Sequence, residues 1–99
     1  MKRRFIVAGD MSAESEKAFI AYIRGLGIGW WHRIPNFWLL ITSKEEITAT
    51  SIRDFIFELS RKNNKVLVME IDEDKDWATI LPENEPGTFD WVKKAWAGE

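Results

Sequence analysis

Aromatic and branched apolar residues crowd the stretch from Gly29 to Thr42, and their alternation predicts two adjacent β-strands. We expect a tight turn at Pro35 and Asn36 to join them, because proline fixes φ and asparagine tolerates turn geometry. The rest of the chain is then available to cover this hairpin. The alternation places Trp30, His32 and Ile34 opposite Trp31 and Arg33 in the first strand, and Phe37, Leu39 and Ile41 opposite Trp38 and Leu40 in the second.

The segment before the hairpin has the pattern of a buried strand followed by an amphipathic helix. The strand covers residues 3–9 and is predicted to end in a loop that begins at Gly9. Ser12 is a suitable N-cap for the helix, and the glycines at 25, 27 and 29 predict its end. The predicted apolar stripe of this helix is Phe19, Tyr22, Ile23 and Leu26.

A second amphipathic helix is predicted to begin near Thr48, after the hairpin. Ile47 and Ile52 are spaced to form a hydrophobic staple around its first turn. A further strand is expected over residues 65–72. The order β-α-β-β-α-β predicts an α+β, ferredoxin-like fold, in which an antiparallel sheet carries two helices on one face. The predicted apolar stripe of the second helix is Ile52, Phe55, Ile56 and Leu59.

We expect one domain, with a ferredoxin-like core at residues 1–72 and a C-terminal extension at residues 73–99. The extension is predicted to hold a short extra strand and a last helical segment capped by Thr88. The tryptophans in it, Trp77, Trp91 and Trp96, are candidates for a dimer or partner interface. They would cover the open face of the sheet, either on their own subunit or across a two-fold axis. The second arrangement is favoured, because an extra strand with few other anchors gains most by completing another sheet.

Composition narrows the class of protein. The 99 residues include no cysteine, so disulfides and thiolate chemistry are excluded. No apolar run is long enough to predict a membrane span, and we expect a cytoplasmic protein without a membrane partner. The net charge is −2, which does not favour nucleic acid as a ligand. A local nucleic-acid patch would have to use the cations Lys2, Arg3, Arg4 and Arg33.

Several short motifs together resemble the small SinR family of bacterial and phage proteins. The most specific of them is Trp30-Trp31-His32 followed by Trp38, and the likeness covers about four-fifths of the chain. This family is similar in turn to the small CRISPR-associated ferredoxin-fold endoribonucleases and to VapD-type toxins, which are homodimers. The resemblance therefore implies a ferredoxin-like homodimer from a phage, mobile-element or defence-system context. The other motifs are Asp10-Met11-Ser12, Ser51-Ile52-Arg53-Asp54, residues 64–68 and Trp77.

Asp10 matches the aspartate that is proposed to hold a divalent metal in the CRISPR-associated relatives. Two Asp10 carboxylates across a dimer axis would share one Mg²⁺, which would polarise a phosphate and lower the pKa of a bound water. The chain departs from these relatives by having Gly9, and not tyrosine, before the aspartate. The simpler interpretation is that Asp10 accepts backbone amides at the start of the first helix.

His32 is the only histidine and the only side chain whose unperturbed pKa lies near neutrality. It is a candidate general acid or base, or else a packed strand residue. Two functions follow. The favoured one is a homodimeric, non-catalytic interaction module that binds another protein and needs no cofactor. The alternative is a Mg²⁺-dependent endonuclease that uses Asp10 across the dimer axis.

Overall fold

The chain folds as an α+β domain whose central feature is a four-stranded antiparallel sheet. The computed structural model describes residues 2–59, 65–71 and 87–96. The predicted element order holds from residue 3 to residue 71, and the arrangement is compatible with a ferredoxin-like fold. The elements are β1 (Arg3–Asp10), α1 (Ala13–Leu26), β2 (Gly29–Ile34), β3 (Phe37–Thr42), α2 (Ala49–Leu59), β4 (Lys65–Ile71) and a π-helical turn at Val92–Trp96.

Among the residues that the structure describes, the sheet has the strand order β2-β3-β1-β4, so that β2 and β4 are its edge strands. The predicted turn joins β2 to β3, and Asn36 adopts the left-handed φ of 63° there. The expected loop at Gly9 is wrong, because β1 continues to Asp10, which pairs with Lys65. A Cβ on Gly9 would lie 3.0 Å from a methyl group of Val66. The glycine therefore permits the close approach of β4 and does not end β1.

Both helices begin with the local signals expected from the sequence, and α1 also ends at a predicted glycine. The Ser12 hydroxyl accepts from the Ser15 amide at 3.1 Å, and Gly27 ends α1 in the left-handed conformation. At α2, Thr48 and Ser51 exchange two hydrogen bonds between side chain and backbone, 2.8 and 3.0 Å long. This is a capping box in which serine replaces the usual glutamate. The caps fix where each helix meets the sheet.

The two helices lie on one face of the sheet and enclose the main core. The rings of Phe19 and Trp38 meet edge to face, with centroids 5.3 Å apart. Ile47 and Ile52 are both buried, as the predicted staple requires. The buried members of this cluster are Phe5, Val7, Met11, Phe19, Ile23, Trp38, Leu40, Ile47, Ile52 and Ile56.

The opposite face of the sheet is covered in part by residues 87–96 of the same chain. Val92 and Trp96 pack with Trp31, and the Trp31 indole donates to the Thr88 carbonyl at 2.9 Å. Arg4 Nε donates to the Trp96 carbonyl at 2.7 Å. These two hydrogen bonds join the segment to side chains of both β1 and β2. The described part of the C-terminal extension therefore packs on the sheet of its own chain. The packing across a two-fold axis that the sequence favoured stays a prediction for the extension as a whole.

Two further expectations concern the predicted extra strand and the predicted lack of a membrane span. The predicted extra strand and Trp77 lie outside the described residues. Among the helices that the structure describes, none has the length and apolar character to cross a bilayer.

Candidate functional site

Asp10 lies at the exposed end of β1, just before α1. Its carboxylate makes no hydrogen bond or ion pair with the described residues, and Ser12 provides the N-cap of α1. Asp10 is therefore not the backbone-amide acceptor that the simpler interpretation expected. Within residues 2–59, 65–71 and 87–96, no three His, Cys, Asp or Glu side chains come together as a metal site. A hard cation at Asp10 would need ligands from elsewhere.

His32 is held by three contacts of the kind a structural histidine makes. Its Nδ1 lies 2.7 Å from the Phe37 carbonyl oxygen, which can only accept, so Nδ1 carries the proton. Its Nε2 lies 3.5 Å from a Glu16 carboxylate oxygen, an ion pair when the ring is protonated. The ring stacks on Trp38 with a centroid distance of 4.1 Å. These contacts occupy both ring nitrogens and tie β2 to β3 and α1.

The four cations of the predicted nucleic-acid patch do not lie together. Arg3 binds the Glu70 carboxylate, at 3.0 and 3.1 Å, and the Ile47 carbonyl on the helix side of the sheet. Arg4, its neighbour on the strand, points to the other face. Arg33 precedes Ile34, which is level with Ala8 across β3 and therefore about 17 Å along the strands from Arg3. Lys2 precedes β1 at the Arg3 end, so no single basic surface includes all four side chains.

The ion pair of Arg3 and Glu70 links β1 to β4 at one end of the sheet. Hydrogen bonds from Arg3 hold the pKa of Glu70 below its ordinary value, and the same bonds raise the pKa of Arg3. Both groups are therefore charged at neutral pH. Arg3 has a structural use, which leaves less of its charge for a phosphate ligand.

Trp91 and Trp96 also differ from freely exposed interface residues. The Trp96 side chain is only 4% exposed, and the Trp91 ring lies beside it at 6.5 Å between centroids. Trp91 also approaches Gly29, where an added Cβ would lie 3.3 Å from its ring. Their contribution to a dimer or partner interface stays a prediction, and Trp77 lies outside the described residues.

The most exposed apolar surface of the sheet lies on β4, which sequence reasoning did not single out. Leu67 is 57% exposed and Met69 is 48% exposed, on the same sheet face as the C-terminal segment. Val66 and Val68 lie on the helix side and are only partly buried. The sequence did contain a signal for this surface. β4 is apolar on both faces, as a central buried strand would be, yet it lies at an edge of the sheet. We call Leu67, Met69 and the outer backbone edge of this strand the β4 edge.

Comparisons with known protein families, with curated proteins and with solved structures gave no match to this chain. The resemblance to the SinR family therefore remains a prediction from the sequence motifs.

Proposed function

We propose that this chain is a ferredoxin-like, homodimeric interaction module without catalytic activity, and that two copies join at the β4 edge. The observation that carries the proposal is the exposure of Leu67 and Met69 on an edge strand. Edge strands of this kind offer unpaired amides and carbonyls beside apolar side chains, and folded proteins commonly cover them. The phage or defence-system context, and a second protein as the eventual partner, rest on the resemblance alone.

A second copy fits the β4 edge because the strand is complementary to itself. Antiparallel pairing centred on Val68 sets Leu67 opposite the partner's Met69. The two-fold symmetry forms this contact twice, so each exposed side chain gains an apolar neighbour. The charges at the two ends also suit this arrangement. Lys65 lies at one end and Glu70 near the other, so pairing opposes no like charges directly.

This dimer cannot also hold a metal ion between two Asp10 carboxylates. Asp10 pairs with Lys65, three residues from the proposed centre at Val68, and lies one strand inward from β4. With strands about 4.8 Å apart and a rise of about 3.3 Å per residue, the two Asp10 Cα atoms lie about 25 Å apart. A shared cation needs ligand oxygens within roughly 2.5 Å of the metal. The proposed dimer and the alternative endonuclease therefore require different subunit arrangements.

The experiment is the mass of the protein in solution, measured by light scattering at micromolar concentration. We expect twice the 11.6 kDa of the chain for the wild type. A Leu67→Lys/Met69→Lys double variant should have the mass of one chain, because the symmetric pairing would set lysine side chains directly opposite one another. Ile34→Lys is the matched control, since Ile34 is 43% exposed on the opposite edge strand, and it should remain dimeric.

A monomeric wild type would refute the dimer, and a dimeric double variant with native circular dichroism would refute the β4 edge. Catalysis is tested separately by incubating RNA and DNA with the wild type and Asp10→Ala, with Mg²⁺ or with a chelator. We expect intact nucleic acid in every sample. Mg²⁺-dependent cleavage that Asp10→Ala abolishes would establish the endonuclease instead.

A further inference from the structure

A concave basic site lies at the end of the sheet farthest from Asp10. Its volume is about 320 Å³, near the lower end for small-molecule sites. Four separate parts of the chain build it: the residue before β1, the α1–β2 connection, the end of β3 and the turn that follows β3. The lining residues are Lys2, Gly27, Ile28, Gly29, Ile41, Thr42, Ser43 and Lys44.

The charge of this cavity is opposite in sign to that of the chain. The whole chain carries a net charge of −2, yet the described lining includes two lysines and no carboxylate. Glu45 follows Lys44 directly, but its charge acts on Arg3, whose guanidinium also approaches the Glu45 carbonyl. Glu45 is exposed and does not line the cavity, so the charged side chains of the described lining are both positive.

Lys44 is held in place before any ligand arrives. Its ammonium donates to the Leu26 carbonyl at the end of α1, and its backbone amide donates to the Thr42 hydroxyl at 3.0 Å. An ammonium has three donors, so two remain for a ligand. Gly27 lies beside this ammonium, since a Cβ added to it would lie 4.0 Å from Lys44 Nζ.

Two other polar side chains of the cavity, those of Lys2 and Ser43, make no bond within the described residues. Both residues are exposed. Together with Lys44 they supply two cationic groups and one hydroxyl donor around a small concave space. That combination of donors suits the oxygens of a phosphate group.

From these contacts we infer that the cavity binds a small phosphomonoester. A nucleic-acid strand fits less well, because the other cations of β1 are engaged and Arg33 lies at the far end of the sheet. The inference is independent of the dimer, since Leu67 and Met69 do not line this cavity. It adds a ligand site to a module proposed to act through protein contacts.

The test is an amide NMR titration with inorganic phosphate, with chloride matched for ionic strength. We expect saturable shifts in the millimolar range at Gly27, Gly29 and Ser43. Ser43→Asp places a carboxylate in the cavity and should weaken binding by about tenfold, as expected for one added like charge at close range. Ser12→Asp is the matched control: it adds the same charge at the other end of the sheet, retains an N-cap, and should bind as the wild type does.

Lys2→Gln provides a second variant in the cavity that perturbs no observed contact, and it should also weaken phosphate binding. The absence of saturable shifts, or equal weakening in Ser43→Asp and Ser12→Asp, would overturn the inference. Tighter, salt-dependent shifts of the same amides with single-stranded RNA would overturn it in favour of a nucleic-acid surface.

Discussion

Removal of the Trp96 side chain should destabilise the fold strongly, because this ring fixes the C-terminal segment to its own sheet. A tryptophan side chain buries roughly 200 Å², and Trp96 is 4% exposed. At about 25 cal/mol per Å² this burial is worth about 5 kcal/mol. The unfolded chain already hides part of that area, which leaves about 3 to 4 kcal/mol. Trp96→Ala should lower the free energy of unfolding by that amount, within the range of measured losses for buried aromatic residues.

The assay is urea unfolding followed by circular dichroism at several protein concentrations. The loss in Trp96→Ala should not change with concentration, because the contact lies within one chain. Ile34→Ala, at a half-exposed position, is the control and should cost less than about 1 kcal/mol. A loss as small as the control would refute the packing of Trp96. A loss that grows with protein concentration would instead indicate that the segment packs on a neighbouring subunit.

Four further predictions concern the sheet and the helices. Gly29→Ala should destabilise by roughly 1–3 kcal/mol in urea unfolding, because its Cβ would lie 2.7 Å from an Ile41 methyl. In Gly25→Ala, on α1, the added Cβ meets nothing within 4 Å, and the free energy of unfolding should rise by roughly 0.5–1 kcal/mol. A stabilising Gly29→Ala and a destabilising Gly25→Ala would contradict the packing around these two glycines. Hydrogen bonds from Arg3 lower the pKa of Glu70. The stability that this ion pair contributes is therefore present above about pH 4.3 and is lost as the pH falls through the lowered pKa. Acid unfolding should therefore be shallower in Glu70→Gln, and an unchanged slope would argue against the ion pair. Burial raises the pKa of Tyr22, so the stability contributed by its neutral hydroxyl is lost as the pH rises above about 10. Tyr22→Phe should therefore resist alkaline unfolding better than the wild type does.

Local signals in the sequence predicted much of the fold. The turn at Pro35-Asn36 and the caps at Ser12 and Thr48 act over a few residues, so short-range chemistry was sufficient to identify them. The glycines were harder, because the sequence does not distinguish a glycine that ends an element from one that permits close packing. Gly27 ends α1, whereas Gly9 lies inside a strand.

The site required contacts between distant parts of the chain. The apolar face of residues 88–96 predicted that this segment would pack on a sheet, but a hydrophobic pattern does not specify which subunit supplies that sheet. The bond from Arg4 to the Trp96 carbonyl spans almost the whole chain and has no sequence signal. The divided basic patch was predictable, since neighbouring residues on a strand, such as Arg3 and Arg4, point to opposite faces.

The most direct test of the proposed subunit arrangement is the distance between two Asp10 positions in the dimer. The chain has no cysteine, so Asp10→Cys gives a single attachment point for a spin label, and electron paramagnetic resonance reports the label separation. Pairing at the β4 edge predicts a separation of about 25 Å, extended by the label arms. A separation below about 15 Å would contradict the arrangement and favour a dimer built around Asp10. The absence of coupling between labels would contradict pairing at the β4 edge, which Asp10→Cys leaves intact.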